Sequence, residues 1–252
     1  MLAAGSGPPV LLLHGSGPGT TGAAWAPLIA ALAPRFSVLA PDLLGFGDAQ
    51  GVRPLERGGL RAAWTAQAAE LLDGLGEPCA VVGNSAGGAI ALSLAHARPR
   101  GVSKVVAVGT MGHPMTLPPG LDELWGYEPS REAARAVVEL ISPGPAHEEA
   151  VEARLQASLA QPGYGSLFEA PRQRWVDDLS LSAGELAAIT APVLLIHGTR
   201  DRIVPPRDGA LALLDALPDA RAHLFGGAGH ATPLERTDEF NRLVTTFLET
   251  DR

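Results

Sequence analysis

Three residues with the chemistry of a nucleophilic triad lie far apart in the chain. Ser85 occupies the centre of Gly83-Asn-Ser-Ala-Gly87, where glycines two positions before and after it permit a sharp turn between a strand and a helix. Asp201 and His230 each follow a later apolar run. A serine hydroxyl needs a base to accept its proton, and that base needs an acid to orient it. The pattern predicts Ser85 as nucleophile, His230 as base and Asp201 as acid.

Two backbone amides are expected to stabilise the negative charge that develops on a substrate oxygen. The oxyanion loop, His14-Gly-Ser-Gly-Pro-Gly19, follows the first apolar run and can present the N–H of Ser16. Ala86 begins the helix after Ser85, where backbone N–H groups lack intrahelical acceptors. We therefore expect Ser16 and Ala86 to form the oxyanion hole.

Other polar residues near these positions have alternative interpretations. Asp42 and Asp48 border the same cleft and are competing candidates for the acid, although the chain order Ser, Asp, His favours Asp201. His14 is interpreted as a structural residue that shapes the oxyanion loop. His197 is interpreted as a strand residue whose ring makes a satisfied hydrogen bond.

These residues need a scaffold, and the sequence predicts one in which strands alternate with helices. Apolar runs predict the strands Pro9–Leu13, Phe36–Ala40, Cys79–Val82, Val102–Val108, Val193–Gly198 and Arg221–Phe225. Helical spacing predicts helices over Gly22–Ala33, Leu60–Leu75, the segment after Ser85, Arg207–Leu217 and Leu234–Leu248. Such alternation favours a mostly parallel sheet flanked by helices, that is, an α/β fold.

The alternation stops between residues 111 and 187. This segment contains proline, glycine and the helical patterns Arg131–Leu140 and Glu148–Leu159, but no convincing buried strand. We predict a helical lid at 111–187, inserted into a core made of 1–110 and 188–252. Trp125 and Phe168 are expected to pack inside this lid, with pocket lining as the alternative.

Composition excludes several classes of function. The net charge is −8 without a basic patch, which argues against nucleic-acid binding. No apolar run is long enough to span a bilayer, and no His/Cys cluster suggests a metal or other cofactor. The single cysteine, Cys79, favours a reducing compartment, so we expect a cytoplasmic protein with a small-molecule substrate. A homo-oligomer remains open.

The motifs resemble those of the α/β-hydrolase family over nearly the whole chain. They are His14-Gly-Ser-Gly-Pro-Gly, Gly83-Asn-Ser-Ala-Gly-Gly, Gly198-Thr-Arg-Asp201 and Gly229-His230. The first two, together with Phe168-Glu-Ala-Pro-Arg-Gln-Arg-Trp-Val-Asp-Asp-Leu179, are similar to the branch of meta-cleavage product hydrolases.

The resemblance implies hydrolysis of a carbon–carbon bond in a 2-hydroxy-6-oxo-dienoate, a product of aromatic ring cleavage. It also implies that Arg154 is the counterpart of a lid arginine that meets the dienoate end of the substrate; a surface arginine beside the apolar stripe of a helix is the alternative. We expect Gly17 and Asn84 to assist in binding the substrate. Two features depart from the branch. Ala231 stands where many members carry tryptophan, and the antiparallel hairpin that usually opens the fold is expected to be missing or truncated, which would leave a bare sheet edge.

Three other classes of function compete with this prediction. A carboxylesterase, or a cofactor-free lyase or biosynthetic enzyme, would use the same triad. Dehalogenases and epoxide-opening enzymes of this fold use a carboxylate nucleophile, and Ser85 argues against them. A catalytically silent binding module would normally have lost a triad residue, whereas this chain keeps all three.

Overall fold

The apolar runs form a seven-stranded sheet in a computed structural model that describes residues 1–54 and 58–250. In chain order the strands are β1 (Leu2–Ala4), β2 (Pro9–Leu13), β3 (Ser37–Ala40), β4 (Cys79–Asn84), β5 (Val102–Val108), β6 (Val193–Gly198) and β7 (Ala220–Phe225). Their spatial order is β1-β3-β2-β4-β5-β6-β7, with β1 antiparallel to β3 and the other pairs parallel. The predicted α/β fold is confirmed.

Helices connect these strands and cover both faces of the sheet. In chain order they are α1 (Ala26–Leu32), α2 (Leu60–Asp73), α3 (Ala86–Ala97), α4 (Pro119–Trp125), α5 (Arg131–Ile141), α6 (Glu148–Leu159), α7 (Gln173–Leu179), α8 (Ala183–Ala187), α9 (Ala210–Ala216), α10 (Thr232–Glu235) and α11 (Thr237–Glu249). None of the helices in the described ranges is both long and apolar enough to cross a membrane.

The unbroken apolar runs are explained by burial on both faces of the sheet. Val10 and Leu12 of β2 pack with α1 and α11, whereas Leu11 and Leu13 pack in the opposite cluster with α2, α3 and α9. Cys79 is fully buried at the start of β4, and burial raises the pKa of its thiol to about 12. As expected, it packs in the core.

Between β5 and β6 the described chain forms helices α4 to α8 and no strand. The expected helices at 131–140 and 148–159 are present as α5 and α6. The sequence did not reveal α4, α7 and α8, because five to seven residues are too few to show a helical period. Trp125 and Phe168 are fully buried in the same apolar cluster as α2 and α3, so this insertion is continuous with the core. Its role as a lid remains a prediction.

Two expectations from the sequence are wrong, namely a bare sheet edge and a single helix over 234–248. The edge of β3 is not bare, because β1 pairs with it from Leu2↔Ala40 to Ala4↔Val38. A pairing of three residues is too short to be read from alternation. The expected helix 234–248 is two helices, α10 and α11, because the backbone leaves the helical conformation at Arg236 (φ −132°, ψ 39°).

The close approach of β4 and α3 makes a prediction about Gly83. A Cβ atom there would lie 2.2 Å from the carbonyl oxygen of Gly87, which is backbone and cannot rotate away. Gly83→Ala should lower the free energy of unfolding in urea by about 1–3 kcal/mol or more. Gly184 of α8 has no neighbour within 4 Å of its Cβ position. As the control, Gly184→Ala should leave stability unchanged or raise it by up to about 1 kcal/mol. Equal effects at the two sites would contradict this account.

Candidate active site

Ser85 lies at the strained turn between β4 and α3. Its φ of +56° makes it the one residue with a side chain in the left-handed region among the residues that the structure describes. Neighbouring strand β5 holds the turn in place, since the Ser85 N–H donates to the carbonyl of Val108 at 2.8 Å. Such strain persists only where the surroundings enforce it, and it commonly marks a functional site. The predicted turn is therefore present, with its serine at the tip.

Asp201 and His230, which are 29 residues apart in sequence, form a short buried pair. His230 Nδ1 lies 2.7 Å from Asp201 Oδ2, and the side chain of Asp201 is fully buried. Because a carboxylate only accepts, Nδ1 carries the proton and Nε2 is free to act as a base. The other oxygen of Asp201 accepts the amides of Ile203 at 2.8 Å and Val204 at 3.0 Å.

The electrostatics keep Asp201 ionised. Burial raises the pKa of its carboxyl, but the electrostatic interaction with His230 and the hydrogen bonds from His197 and His230 lower it by more. The net pKa therefore lies well below its usual range, as an acid that orients and stabilises an imidazolium requires.

His197 contacts the same carboxylate. Its Nε2 lies 2.8 Å from the Val204 carbonyl oxygen and 3.1 Å from Asp201 Oδ2, so Nε2 carries a proton that these two acceptors share. The predicted satisfied hydrogen bond is confirmed. Its contact with Asp201 was not predicted, although the spacing of four residues between them was a possible signal.

The two alternative candidates for the acid, Asp42 and Asp48, have structural roles. The carboxylate of Asp42 accepts the amides of Gly22 at 2.8 Å and Asp48 at 3.0 Å, which fixes the segment after β3. The side chain of Asp48 is 93% exposed and lies 3.8 Å from the terminal amine. Neither is hydrogen-bonded to His230, so the geometry favours Asp201.

Hydrogen bonds from two directions fix the loop that carries His230. Gly229 N–H donates to the Glu235 carboxylate at 3.0 Å, and the Thr232 hydroxyl donates to the Gly229 carbonyl at 2.8 Å. From the other side, the Ala231 N–H donates to the Ile141 carbonyl of α5 at 3.0 Å. The break between α10 and α11 thus leaves a short helix whose glutamate holds the base in position.

His14 shapes the oxyanion loop, as predicted. The Leu43 N–H donates to its Nε2 at 2.9 Å, so its proton is on Nδ1, which donates to the Gly15 carbonyl at 2.8 Å. Burial lowers the pKa of His14 to about 4, which keeps the ring neutral. A Cβ on Gly15 would lie 3.2 Å from the Cβ of Ser85, so the loop lies directly against the serine.

Most of the predicted site residues line the same cavity. Those that line it are Ser16, Gly17, Asn84, Ser85, Arg154 and His230. Asp201 lies behind His230, and Ala86 is the first residue of α3, immediately after Ser85. The Ser85 hydroxyl makes no hydrogen bond within the described chain, which leaves it available to a substrate and to Nε2 of His230. The rest of the lining is mainly apolar and includes Trp25, Leu124, Val137, Ile141, Ala231 and Leu234.

Arg154 reaches this cavity from α6. Its Nη1 donates to the Pro18 carbonyl at 2.6 Å, and it forms no ion pair with any carboxylate of the described residues. Burial lowers the pKa of the guanidinium from its ordinary value, and nearby Tyr164 and Tyr127 oppose that shift. The group stays charged. An unpaired, partly desolvated arginine on the wall of a cavity is a binding group for an anion.

Sequence reasoning missed the aromatic residues that join the insertion to the oxyanion loop. Trp125 stacks on Phe168 with centroids 4.7 Å apart, as expected of packing residues, but its indole N–H also donates to Ser16 Oγ at 2.9 Å. The Tyr164 hydroxyl lies 3.0 Å from both the Ser16 and the Leu124 carbonyl oxygens, which share its one proton. The sequence carries no local signal for contacts between residues more than a hundred positions apart.

No group of three or more His, Cys, Asp or Glu side chains is arranged to bind a metal in the part of the chain that the structure describes. The functional groups that the site offers are its serine, histidines, carboxylate, arginine and backbone amides. Together they can activate a hydroxyl, stabilise an oxyanion and bind an anionic substrate.

Comparison with known proteins of similar sequence identifies the family of this chain. A family profile described as alpha/beta hydrolase matches residues 10–243. The chain is 39% identical over 252 residues to a 2-hydroxymuconate semialdehyde hydrolase of Pseudomonas sp. (strain CF600), covering 97% of this chain and 88% of that protein. It is 38% identical over 251 residues to a 2-hydroxy-6-oxo-2,4-heptadienoate hydrolase of a Pseudomonas putida strain, covering 97% and 90%.

Solved structures agree with the sequence comparison. A meta-cleavage product hydrolase from Pseudomonas fluorescens IP01 superposes with a TM-score of 0.92 at 36% identity, covering 98% of this chain and 92% of that one. The 2-hydroxy-6-oxo-6-phenylhexa-2,4-dienoate hydrolase of Rhodococcus sp. strain RHA1 gives 0.86 at 30% identity, covering 99% and 94%. The chain belongs to the α/β-hydrolase family, and its resemblance to the meta-cleavage product hydrolases is confirmed.

The geometry makes a prediction about the triad. Ser85→Ala or His230→Ala should lower kcat by roughly 10⁴-fold or more while the protein stays folded. Asp201→Asn should cost roughly 10³- to 10⁴-fold, because it favours the wrong imidazole tautomer. Steady-state kinetics and circular dichroism measure both effects. Asp48→Asn is the control and should keep full activity. A fully active Asp201→Asn variant, beside an inactive Asp42→Asn variant, would reassign the acid.

His14 makes a prediction about stability and pH. Since its pKa is near 4 in the folded protein and near 6.5 when unfolded, protons bind the unfolded chain first as the pH falls. The stability present above pH 6.5 should decrease by roughly 3 kcal/mol between pH 6.5 and pH 4 and then stop changing on this account. Urea unfolding at a series of pH values should show a smaller slope for His14→Asn. The exposed His147→Gln control should keep the original slope, and an unchanged slope for His14→Asn would refute the assignment.

Proposed function

We propose that this α/β-hydrolase cleaves a carbon–carbon bond in a 2-hydroxy-6-oxo-dienoate, the product of aromatic ring cleavage. The observation that carries the proposal is Arg154, an arginine without a carboxylate partner among the described residues, on the same cavity as Ser85 and His230. Relatives named as hydrolases of 2-hydroxymuconate semialdehyde and of 2-hydroxy-6-oxo-2,4-heptadienoate support the same chemistry.

The reaction consumes one water and breaks one carbon–carbon bond. The dienol first ketonises, which moves a proton to carbon. When the carbon–carbon bond next to the remote carbonyl then breaks, the departing fragment can stabilise the electron pair of that bond. His230 Nε2 accepts the proton from Ser85 or from a water, and that oxygen attacks the remote carbonyl. When water attacks, cleavage gives the carboxylic acid directly; when Ser85 attacks, cleavage leaves an acyl ester on Ser85, which a water then hydrolyses to the acid. In both cases the other fragment takes up a proton on carbon.

The roles of the site residues follow from this sequence of events. Asp201 orients His230 and stabilises the imidazolium that forms. The N–H groups of Ser16 and Ala86 stabilise the oxyanion on the attacked carbonyl. Arg154 binds the substrate carboxylate, with Gly17 and Asn84 assisting. Asn84 Nδ2 already donates to the Val108 carbonyl at 3.0 Å, so the orientation of its amide is fixed before substrate binds.

The insertion is the proposed lid of this site. Leu124, Val137, Ile141 and Arg154 of α4, α5 and α6 line the cavity together with Ser85 and His230. The expectation of a cytoplasmic location stays a prediction based on the single cysteine, and the oligomeric state stays open.

A carboxylesterase is the second candidate. Its support is the lining of the cavity, which is mainly apolar and in which Arg154 is the one lysine or arginine among the described lining residues. Ester hydrolysis needs the triad and the oxyanion hole but no anchor for an anion, so Arg154 separates the two functions.

Arg154 gives the test. Arg154→Ala should reduce kcat/KM for a 2-hydroxy-6-oxo-dienoate roughly 30-fold or more, because the substrate carboxylate loses its charged partner. Hydrolysis of a neutral short-chain ester by the same preparation should change by less than about 3-fold, because that reaction loses only the hydrogen bond to the Pro18 carbonyl while Ser16 keeps its contacts with Trp125 and Tyr164. Arg154→Lys should restore only part of the loss, since lysine keeps the charge but not the two-pronged geometry.

Arg135→Ala is the matched control, because Arg135 is paired with Glu148 on the outside of the insertion. It should leave both rates unchanged. Equal losses on both substrates in Arg154→Ala, or no dienoate cleavage by the unaltered protein, would put the esterase first.

A further inference from the structure

Ser16 is held at both of its polar acceptor groups by aromatic side chains of the insertion. Trp125 Nε1 donates to the Ser16 hydroxyl oxygen at 2.9 Å. The Tyr164 hydroxyl lies 3.0 Å from the Ser16 carbonyl and 3.0 Å from the Leu124 carbonyl, so its one proton is shared between these two acceptors. Ser16, Trp125 and Tyr164 are all buried. Trp125 and Tyr164 follow Ser16 by 109 and 148 positions, so only the docking of the insertion on the core brings them together.

The peptide groups on either side of Ser16 are therefore both fixed. The Gly15 carbonyl accepts a hydrogen bond from His14 Nδ1 at 2.8 Å. In a trans peptide the N–H points opposite to the carbonyl, so this contact directs the Ser16 N–H away from the His14 ring. The following carbonyl is fixed by Tyr164, and the side chain by Trp125. Two donors of Ser16, its backbone N–H and its hydroxyl proton, have no acceptor among the described residues, so the N–H is available to a ligand in the cavity that Ser16 lines.

The composition of the loop explains why it needs such contacts. Its sequence, Gly15-Ser-Gly-Pro-Gly19, contains three glycines, which lose the most conformational entropy when they are ordered. Two further residues of the insertion hold its later part. Gln161 accepts the Gly19 N–H at 2.9 Å, and Arg154 donates to the Pro18 carbonyl. The order of this loop depends on the insertion as much as on the core.

We propose that Trp125 and Tyr164 are positioning residues for the Ser16 amide, so that the oxyanion hole is complete only when the insertion is docked. The inference deepens the proposed function, but it rests on the oxyanion role of the loop and not on the identity of the substrate. It holds for an ester as well as for a dienoate, because both reactions pass through an oxyanion.

Trp125→Phe and Tyr164→Phe test this proposal. Each keeps an aromatic ring beside Phe168 and removes the hydrogen-bond donor to Ser16. Tyr127→Phe is the matched control. The Tyr127 hydroxyl bonds with Ser158 at 2.8 Å inside the insertion, and its ring packs edge-on against Tyr164 at 6.5 Å. Loss of the Tyr127 hydroxyl also removes a buried hydrogen bond, but that bond does not involve the oxyanion loop.

Two readouts separate positioning from stability. With a neutral ester, Trp125→Phe and Tyr164→Phe should each lower kcat roughly 10- to 100-fold, part of the effect of losing an oxyanion donor. The change in KM should be less than about 3-fold. Inactivation by a fluorophosphonate, which attaches to Ser85, should slow in parallel. Tyr127→Phe should lower the melting temperature and leave kcat and the inactivation rate unchanged.

A double variant tests the link to Ser16 directly. If Trp125 acts through the Ser16 hydroxyl, then Trp125→Phe should cost much less kcat in a Ser16→Ala background than in the unaltered protein. Additive effects, or single variants that lose only stability as Tyr127→Phe does, would overturn the proposal. Circular dichroism identifies a variant that fails to fold, in which case the remaining single variant decides. The fluorophosphonate and ester readouts do not depend on dienoate cleavage, so they cannot be confused with failure of the proposed function.

Discussion

Close approach of three backbone segments is the constraint on which the rest of this structure depends. A Cβ atom on Gly83 would lie 2.2 Å from the Gly87 carbonyl oxygen, and one on Gly87 would lie 2.3 Å from the Leu13 carbonyl oxygen. Glycine at both positions lets β4, α3 and the end of β2 meet. This contact forces Ser85 into its left-handed conformation and presses the oxyanion loop against it. The proposed nucleophile and the proposed oxyanion donors are thus positioned by the same packing.

The oxyanion loop is buried, so its polar groups need partners that the core alone does not supply. His14 satisfies the carbonyl of Gly15 and accepts the amide of Leu43, and its neutral state follows from its burial. The insertion supplies the remaining contacts through Trp125, Tyr164 and other side chains. An unpaired buried carbonyl or hydroxyl costs about 1–3 kcal/mol, so the insertion and the loop stabilise each other. The helices between β5 and β6 are in this sense part of the site.

Charge is distributed unevenly around the cavity. The chain carries a net charge of −8, yet among the described residues that line the cavity the one with a permanent charge is Arg154. Arg154 has a carbonyl partner but no carboxylate partner among the described residues, and its burial is unfavourable for the charged form. An anionic substrate would restore the missing charge pairing and would be attracted into an otherwise apolar cavity. The carboxylate Asp201 is held apart from this interaction, behind His230.

The sequence by itself determined the strands, the turn around Ser85 and the order Ser85, Asp201, His230, because apolar periodicity and glycine spacing are local properties. The family resemblance added Arg154. Only the tertiary structure showed that Asp201 and not Asp42 is hydrogen-bonded to His230, since both follow strands and differ in the partners that reach their carboxylates. It also revealed β1, the end of α10 at Arg236, and the hydrogen bonds from Trp125 and Tyr164 to Ser16. Those features depend on which distant segments meet, and a single chain read in order contains no record of such long-range contacts.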